Sequence, residues 1–246
     1  MSVSDLTRRD LFRLCGTACL RSLLGETMNA GQSVVPAAKA VDHLLLGTAD
    51  LDRGIAWVET LTGVRAAIGG SHPGVGTRNA LISLGARQYL EIIAPDPAQA
   101  TYRSRFEVRK LAEPRLITWA AATSDIESLA RKLKGGGRQV LGPNDGSRAR
   151  PDGAVLKWRT LDVGGGVAAA RVDLLPFFIQ WSADSVHPSQ DSPTGCTLVS
   201  FDITHPDPPA VVAALRELGI EAPVKSGSEV RIIATVDTPR GRVQLT

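Results

Sequence analysis

The chain has 246 residues, 43% hydrophobic and 22% charged, the composition of a folded protein with room for one large domain or two small ones. Its formal charge is +3, and the first forty residues hold five Arg/Lys against three Asp/Glu, so the remaining body is near neutral. With no Lys/Arg run and no aromatic-basic pattern, nothing argues for nucleic acid, and no apolar run is long enough to span a membrane.

Residues 1–40 read as an arm outside the fold. Thr7-Arg8-Arg9-Asp10-Leu11-Phe12 resembles a bacterial twin-arginine export signal. A weakly apolar stretch follows from Leu14 to Leu24, and Ala38-Lys39-Ala40 fits a small-x-small cleavage site. This signal-peptide reading predicts a periplasmic protein that starts at Val41. Arg21 and Glu26 weigh against it, and a cytoplasmic arm is the alternative. Cys15 and Cys19 lie in the arm, whereas Cys196 stands alone in the body, which excludes a disulfide framework or a Cys-rich zinc site there.

The body repeats one pattern three times. The first copy opens with His43–Thr48, turns at Asp50, and enters a helix with Leu51, Ile55, Val58 and Leu61 on one face. The second has Leu116–Ala122, a turn at Ser124-Asp125, then Leu129 and Leu133. The third has Leu198–Thr204, a turn at Asp207, then Val211, Leu215 and Leu218. Ser124 with Glu127 fits a capping box, Pro208 fits a first helical turn, and each helix ends near a glycine, Gly63, Gly135 and Gly219.

Further strands follow each helix. They are Arg65–Ile68, Asn79–Leu84 and Gln88–Ala94 in the first copy, and Gln139–Leu141, Leu156–Thr160 and Phe177–Trp181 in the second. In the third they are Ala222–Val224, Arg231–Asp237 and Arg242–Leu245, with Thr238-Pro239-Arg240-Gly241 as a hairpin turn. The fold class is therefore α+β, built of tandem βαβββ modules. One module covers only one face of its sheet, so residues 41–194 should pair two modules into a cup. Residues 195–246 form the third module, which completes a second cup, caps the first, or pairs with another chain as a homodimer.

Polar Gly/Pro/Arg-rich segments read as loops: His72 to Asn79, Gly142 to Gly153, Gly164-Gly165-Gly166, and the linker Asp184 to Thr194. Gly69-Gly70 is not followed by a helix, so a phosphate cradle there is weakly supported.

His43 and Glu91 are the candidate site. Each is a polar, metal-ligating side chain in an otherwise apolar strand, in the two outer strands of one module. An exposed polar sheet face would look the same. Alternation puts His43, Leu45 and Gly47 on one face of their strand, with Tyr89, Glu91 and Ile93 on one face of theirs. Arg78, Arg148 and Arg150 lie on loops that could overhang a cup and hold an anion through paired hydrogen bonds, and Asn79 could bridge to substrate. Phe178 and Gln180 would add to the wall from the second module, subject to a one-residue slip in register. Trp119, Trp158 and Trp181 read as core.

With these pieces laid out, residues Val41 to Thr246 resemble the glyoxalase-like branch of the vicinal oxygen chelate superfamily. The resemblance rests on Asp42-His43-Leu44, Gly70 to Asn79, Tyr89 to Pro97, Arg148 to Gly153, Pro176 to Trp181, and His205 to Pro208. It implies paired modules around a small-molecule pocket. It also implies a divalent metal (Zn, Fe, Mn or Mg) held from first and last strands, here by His43 and Glu91. Thr118 and Gln180 occupy the corresponding positions of the second module, and Ser200 and Gln244 those of the third, so the ligand set is incomplete. The implied activity is that of a lyase or isomerase on an oxygenated, anionic small molecule, with Glu91 and His43 catalytic. Binding residues would be Arg78, Asn79, Tyr89, Arg148, Arg150, Phe178 and Gln180. The alternative is a non-catalytic protein that sequesters a small molecule in the same cup.

Overall fold

A computed structural model describes residues 34–150, 152–164 and 172–246. The Arg8-Arg9 motif, Cys15, Cys19, Pro151 and the Gly165-Gly166 pair lie outside the described residues. The first module consists of strand β2 (Val41–Gly47), helix α2 (Leu51–Thr62), and strands β3 (Ala67–His72), β4 (Thr77–Gly85) and β5 (Gln88–Pro95). The second consists of β6 (Arg115–Ala122), α3 (Ile126–Gly135), β7 (Val140–Ala149), β8 (Val155–Val163) and β9 (Phe177–Trp181). The third consists of β10 (Thr197–His205), α4 (Pro208–Glu217), β11 (Ile220–Glu221), β12 (Val224–Ser226), β13 (Arg231–Thr238) and β14 (Gly241–Leu245). Ahead of them stand β1 (Val35–Pro36) and the short helix α1 (Ala37–Ala40).

The aspartate at each strand-to-helix turn is a helix N-cap. Asp50, Asp125 and Asp207 accept the backbone N–H of Arg53 at 2.8 Å, Ser128 at 2.9 Å and Ala210 at 3.3 Å. Each satisfies one of the donors a helix start leaves bare, worth about 1 kcal/mol. In the second module the cap is Asp125, not the Ser124 of the expected capping box. The Ser124 carbonyl instead accepts the Gln180 side-chain amide.

The first two modules share one eight-stranded sheet in the order β3-β4-β5-β2-β6-β9-β8-β7. The seam is the antiparallel pair β2–β6, and each of these strands pairs in parallel with the last strand of its own module. The sheet curls until its two edges meet, because Arg148 of β7 donates to the Gly69 carbonyl of β3. The segment Gly142 to Gly153, expected as a loop, is largely strand: Val140–Ala149 pairs along β8 with a shift between Leu141 and Asn144. An edge strand tolerates Gly, Pro and Asn because only one side of its backbone needs partners, which is why composition hid it.

The third module forms its own sheet, β12-β10-β13-β14. It packs on the outer face of the eight-stranded sheet. Phe201 of β10 tilts against Trp119 of β6 with ring centroids 4.7 Å apart, and the Leu116 N–H donates to the Thr246 carbonyl at 3.0 Å. Arg240 donates to Thr60 of α2, and Arg138, in the turn after α3, pairs with Glu217 of α4, so the module also touches α2 and the segment that follows α3. Leu44, Leu46, Ile55, Trp119, Phe201 and Leu215 are fully or almost fully buried in one continuous core. Burying each such side chain stabilises by roughly 1.5–3 kcal/mol. Residues 35–40, expected to lie outside the fold, are part of it. Val35 pairs with Ile220, and Ala37 is buried in the same core.

Candidate functional site

The face of β2 opposite that core lines a cavity of about 550 Å³. The register places His43 beside Tyr89 and Leu45 beside Glu91, so alternation sends His43, Leu45, Tyr89, Glu91 and Ile93 inward together. Leu45, Ile93, Val108, Leu111 and Ile117 make a small apolar cluster under this face. Arg105 lies over the rings of Phe106 and Phe177, at 4.4 and 5.4 Å, and bridges to Asp162 at 2.5 Å, which ties the segment after β5 across the opening.

His43 and Glu91 face each other. Nε2 of His43 lies 3.5 Å from Oε2 of Glu91, and both side chains are buried. Nδ1 of His43 meets Oδ1 of Asp42 at 2.8 Å. Asp42 is itself buried and is held at a pKa of about 2: burial works to raise it, and hydrogen bonds from His187 and His43 outweigh that. An ionised carboxylate only accepts, so Nδ1 of His43 carries the proton it shares with Asp42, and Nε2 is turned toward Glu91. The His43 ring stacks on Tyr89 at 4.5 Å and meets Phe177 edge-on at 5.6 Å. Burial pushes the Tyr89 phenol well above its ordinary pKa, and the Glu91 carboxylate adds to the shift.

The other oxygen of Glu91 accepts the Asn79 amide N–H at 2.7 Å. His72 approaches the same oxygen with Nε2 at 3.7 Å, while its Nδ1 bonds Thr77 Oγ1 at 2.8 Å. Burial lowers the His72 pKa despite the neighbouring Glu91, which favours a neutral imidazole. Two imidazoles and a buried amide thus surround one carboxylate. Arg148 is buried and lines the same cavity; burial lowers its pKa and the Glu91 charge opposes that.

Five of the residues singled out in the sequence therefore come together: His43, Asn79, Tyr89, Glu91 and Arg148. Four do not. Arg78 alternates with Thr77 and Asn79, which line the cavity, so it points away, where its charge lowers the Asp96 pKa behind the larger effect of Gln99. Arg150 pairs with Asp191 and Asp152. Phe178 packs in the main core, and Gln180 accepts the Ile126 N–H at 2.9 Å at the start of α3. The register β9 adopts is the one-residue slip: Phe177, Ile179 and Trp181 face the cavity, and Phe178 and Gln180 face the helix. Trp119 is core, but Trp158 and Trp181 line the cavity with rings 5.5 Å apart. His72 and His187 are the loop histidines that could join a His43–Glu91 metal site; His72 lines the cavity beside Glu91, whereas His187 lies behind Asp42, which gained no role from the sequence. The one available signal was Asp42 directly beside His43, since a ligating imidazole is commonly backed by a carboxylate.

The cavity, its converging polar groups and the paired-module cup define a small-molecule site of the glyoxalase type. The glyoxalase-like domain family model matches residues 41–219, and the chain belongs to that family of the vicinal oxygen chelate superfamily. No curated protein sequence matches it. Among solved structures it is similar to a hypothetical protein from Staphylococcus aureus, at 17% identity and TM-score 0.60, over 78% of this chain and 87% of that one. It is also similar to methylmalonyl-CoA epimerase from Mycobacterium tuberculosis, at 18% identity and TM-score 0.39, over 61% of this chain and 93% of that one. A Streptomyces coelicolor methylmalonyl-CoA epimerase variant in complex with 2-nitronate-propionyl-CoA aligns at 18% identity and TM-score 0.41, over 59% and 99%. The first likeness shows the fold; the epimerase likenesses are too low to bear on substrate or reaction.

Proposed function

We propose that this protein is a small-molecule isomerase or lyase in which Glu91 moves a proton next to a carbonyl of an oxygenated, anionic substrate. The observation that carries this reading is Nε2 of His43 facing Glu91 across 3.5 Å on the cavity floor, both side chains buried. A buried imidazole and a carboxylate at that separation can share a proton or pass one to a bound molecule. Such a pair is poised to take a proton from a bound substrate, with the Asn79 amide holding the carboxylate in place. Arg148 supplies the positive charge for an anionic end, and Tyr89 offers a neutral phenol to an oxygen.

The donor types also fit a divalent cation. His43 and Glu91 would hold it, in an open site, and Asp42 behind His43 is the usual second layer of such a ligand. Among the described residues no group of three or more His, Cys, Asp or Glu side chains is arranged to enclose one. When bound, the ion would polarise a substrate oxygen. The chain's own residues would still orient the substrate and carry the proton.

A second reading, a non-catalytic binder, is favoured by one observation: Gln180 is committed to α3 and Thr118 is a buried hydroxyl, so the second-module positions that correspond to Glu91 and His43 supply no strong ligand or base. Deuterium exchange separates the two. Small carbonyl acids are incubated with the protein in heavy water, with metal content measured in parallel. Exchange at the carbon beside the carbonyl, lost in Glu91→Gln, supports the enzyme. Binding without exchange, or equal exchange in the variant, rejects it. We also propose that the Arg8-Arg9 arm directs export to the periplasm, on the pattern of Thr7 to Phe12.

A further inference from the structure

His187 lies on the linker between the second and third modules, buried, at the cap of the short 3-10 turn Pro188–Gln190. The backbone N–H of Ser189 donates to its Nδ1 at 3.2 Å. That nitrogen therefore carries a lone pair, and the ring proton sits on Nε2. Nε2 donates to Asp42 Oδ2 at 3.2 Å, across 145 positions of sequence. The indole N–H of Trp181, which can only donate, reaches the same oxygen at 3.1 Å. The carboxylate is thus oriented by two donors at Oδ2, the Trp181 N–H also reaching Oδ1 at 3.3 Å, and Oδ1 meets His43 Nδ1 at 2.8 Å. Neither Asp42 nor His187 lines the cavity.

We infer that Asp42 and His187 are positioning residues for His43: His187, with Trp181, sets the Asp42 carboxylate, and the carboxylate holds the Nδ1–H of His43 so that Nε2 is aimed at Glu91. The linker after β9 is thereby part of the site, although it contributes nothing to the cavity wall. What the orientation serves rests on the proposed His43–Glu91 chemistry, but the tautomer itself does not.

The test is ring-nitrogen NMR of the full chain labelled with 15N-histidine, whose four histidines are assigned by single substitution. In the wild type, His43 should show a protonated Nδ1, and His187 a bare Nδ1 with a protonated Nε2. Asp42→Asn should lose the single His43 tautomer. His187→Phe, which keeps a ring and removes the donor, should give a mixture at His43, and His187→Gln, which keeps a side-chain N–H, should restore the wild-type pattern. A wild-type His43 with a bare Nδ1 overturns the inference, as does an unchanged His43 pattern in either Asp42→Asn or His187→Phe. The wild-type spectrum decides even where a variant fails to fold. Because the readout is a proton position and not turnover, failed deuterium exchange would leave this inference standing, and a wrong tautomer would sink it alone.

Discussion

Arg148 of β7 donates to the Gly69 carbonyl of β3, so the two edges of one sheet meet beside the cavity. The contact is possible because position 69 has no side chain. A Cβ there would lie 2.3 Å from Asn79 Oδ1 and 3.1 Å from an Arg148 nitrogen. Gly69-Gly70 is thus explained by close approach of strands and not by phosphate binding.

Gly69→Ala should therefore disturb the closure and the site together. We expect a loss of about 1–3 kcal/mol from overpacking. Asn79, which holds Glu91 at 2.7 Å, must shift. Urea denaturation measures the first effect. An unchanged midpoint would show that the edges part without cost.

The register of β9 makes opposite predictions for adjacent phenylalanines. Phe178 is buried in the main core, so Phe178→Ala should cost about 3–5 kcal/mol. Phe177 is half-buried against His43, and Phe177→Ala should cost less than half of that while weakening ligand binding. Paired denaturation curves decide the order, and a larger loss at Phe177 would contradict the register.

Asp42 should make stability depend on acid pH. Its pKa falls from 3.8 to about 2 on folding, so the ionised form stabilises the native state above the unfolded value. That stability is present at neutral pH and is lost as pH falls through 3.8 toward about 2. The size is on the order of 2 kcal/mol. Denaturation midpoints of wild type and Asp42→Asn should converge as the medium is acidified across this range. A constant gap would place the acid-sensitive group elsewhere.

The first residues of the folded body offer a truncation test. A chain that starts at Val41 loses the Val35–Ile220 pairing and buried Ala37, and should be less stable than one that starts at Val34 by about 1–3 kcal/mol. Cleavage after Ala40 would remove the same elements. Intact-mass analysis of the protein from the periplasm should then find a mature end before Val35. Replacing Arg8 and Arg9 with Lys should hold the protein in the cytoplasm. Export unaffected by that change would reject the twin-arginine reading.

Much of the architecture was legible because its signals are local. Helical spacing, turn aspartates and terminal glycines define three repeats without any tertiary knowledge, since caps and periodicity act within a few residues. The inward face of β2 and β5 was legible too, because His43 and Glu91 are polar interruptions that fix the phase of an otherwise apolar alternation. In β9 the phase was not legible. Phe177, Phe178, Ile179 and Trp181 are apolar on both faces, and the single Gln180 belongs with a helix start that composition does not reveal.

The amino-acid sequence by itself determined the repeat and one imidazole–carboxylate pair. Only the tertiary structure decided which wall the second module presents, that Arg148 and not Arg78 or Arg150 lines the cavity, and that Asp42, His72 and His187 surround the pair. The physical reason is range. Strand register, edge closure and a hydrogen bond across 145 residues are set by how distant segments pack, and no local pattern encodes them.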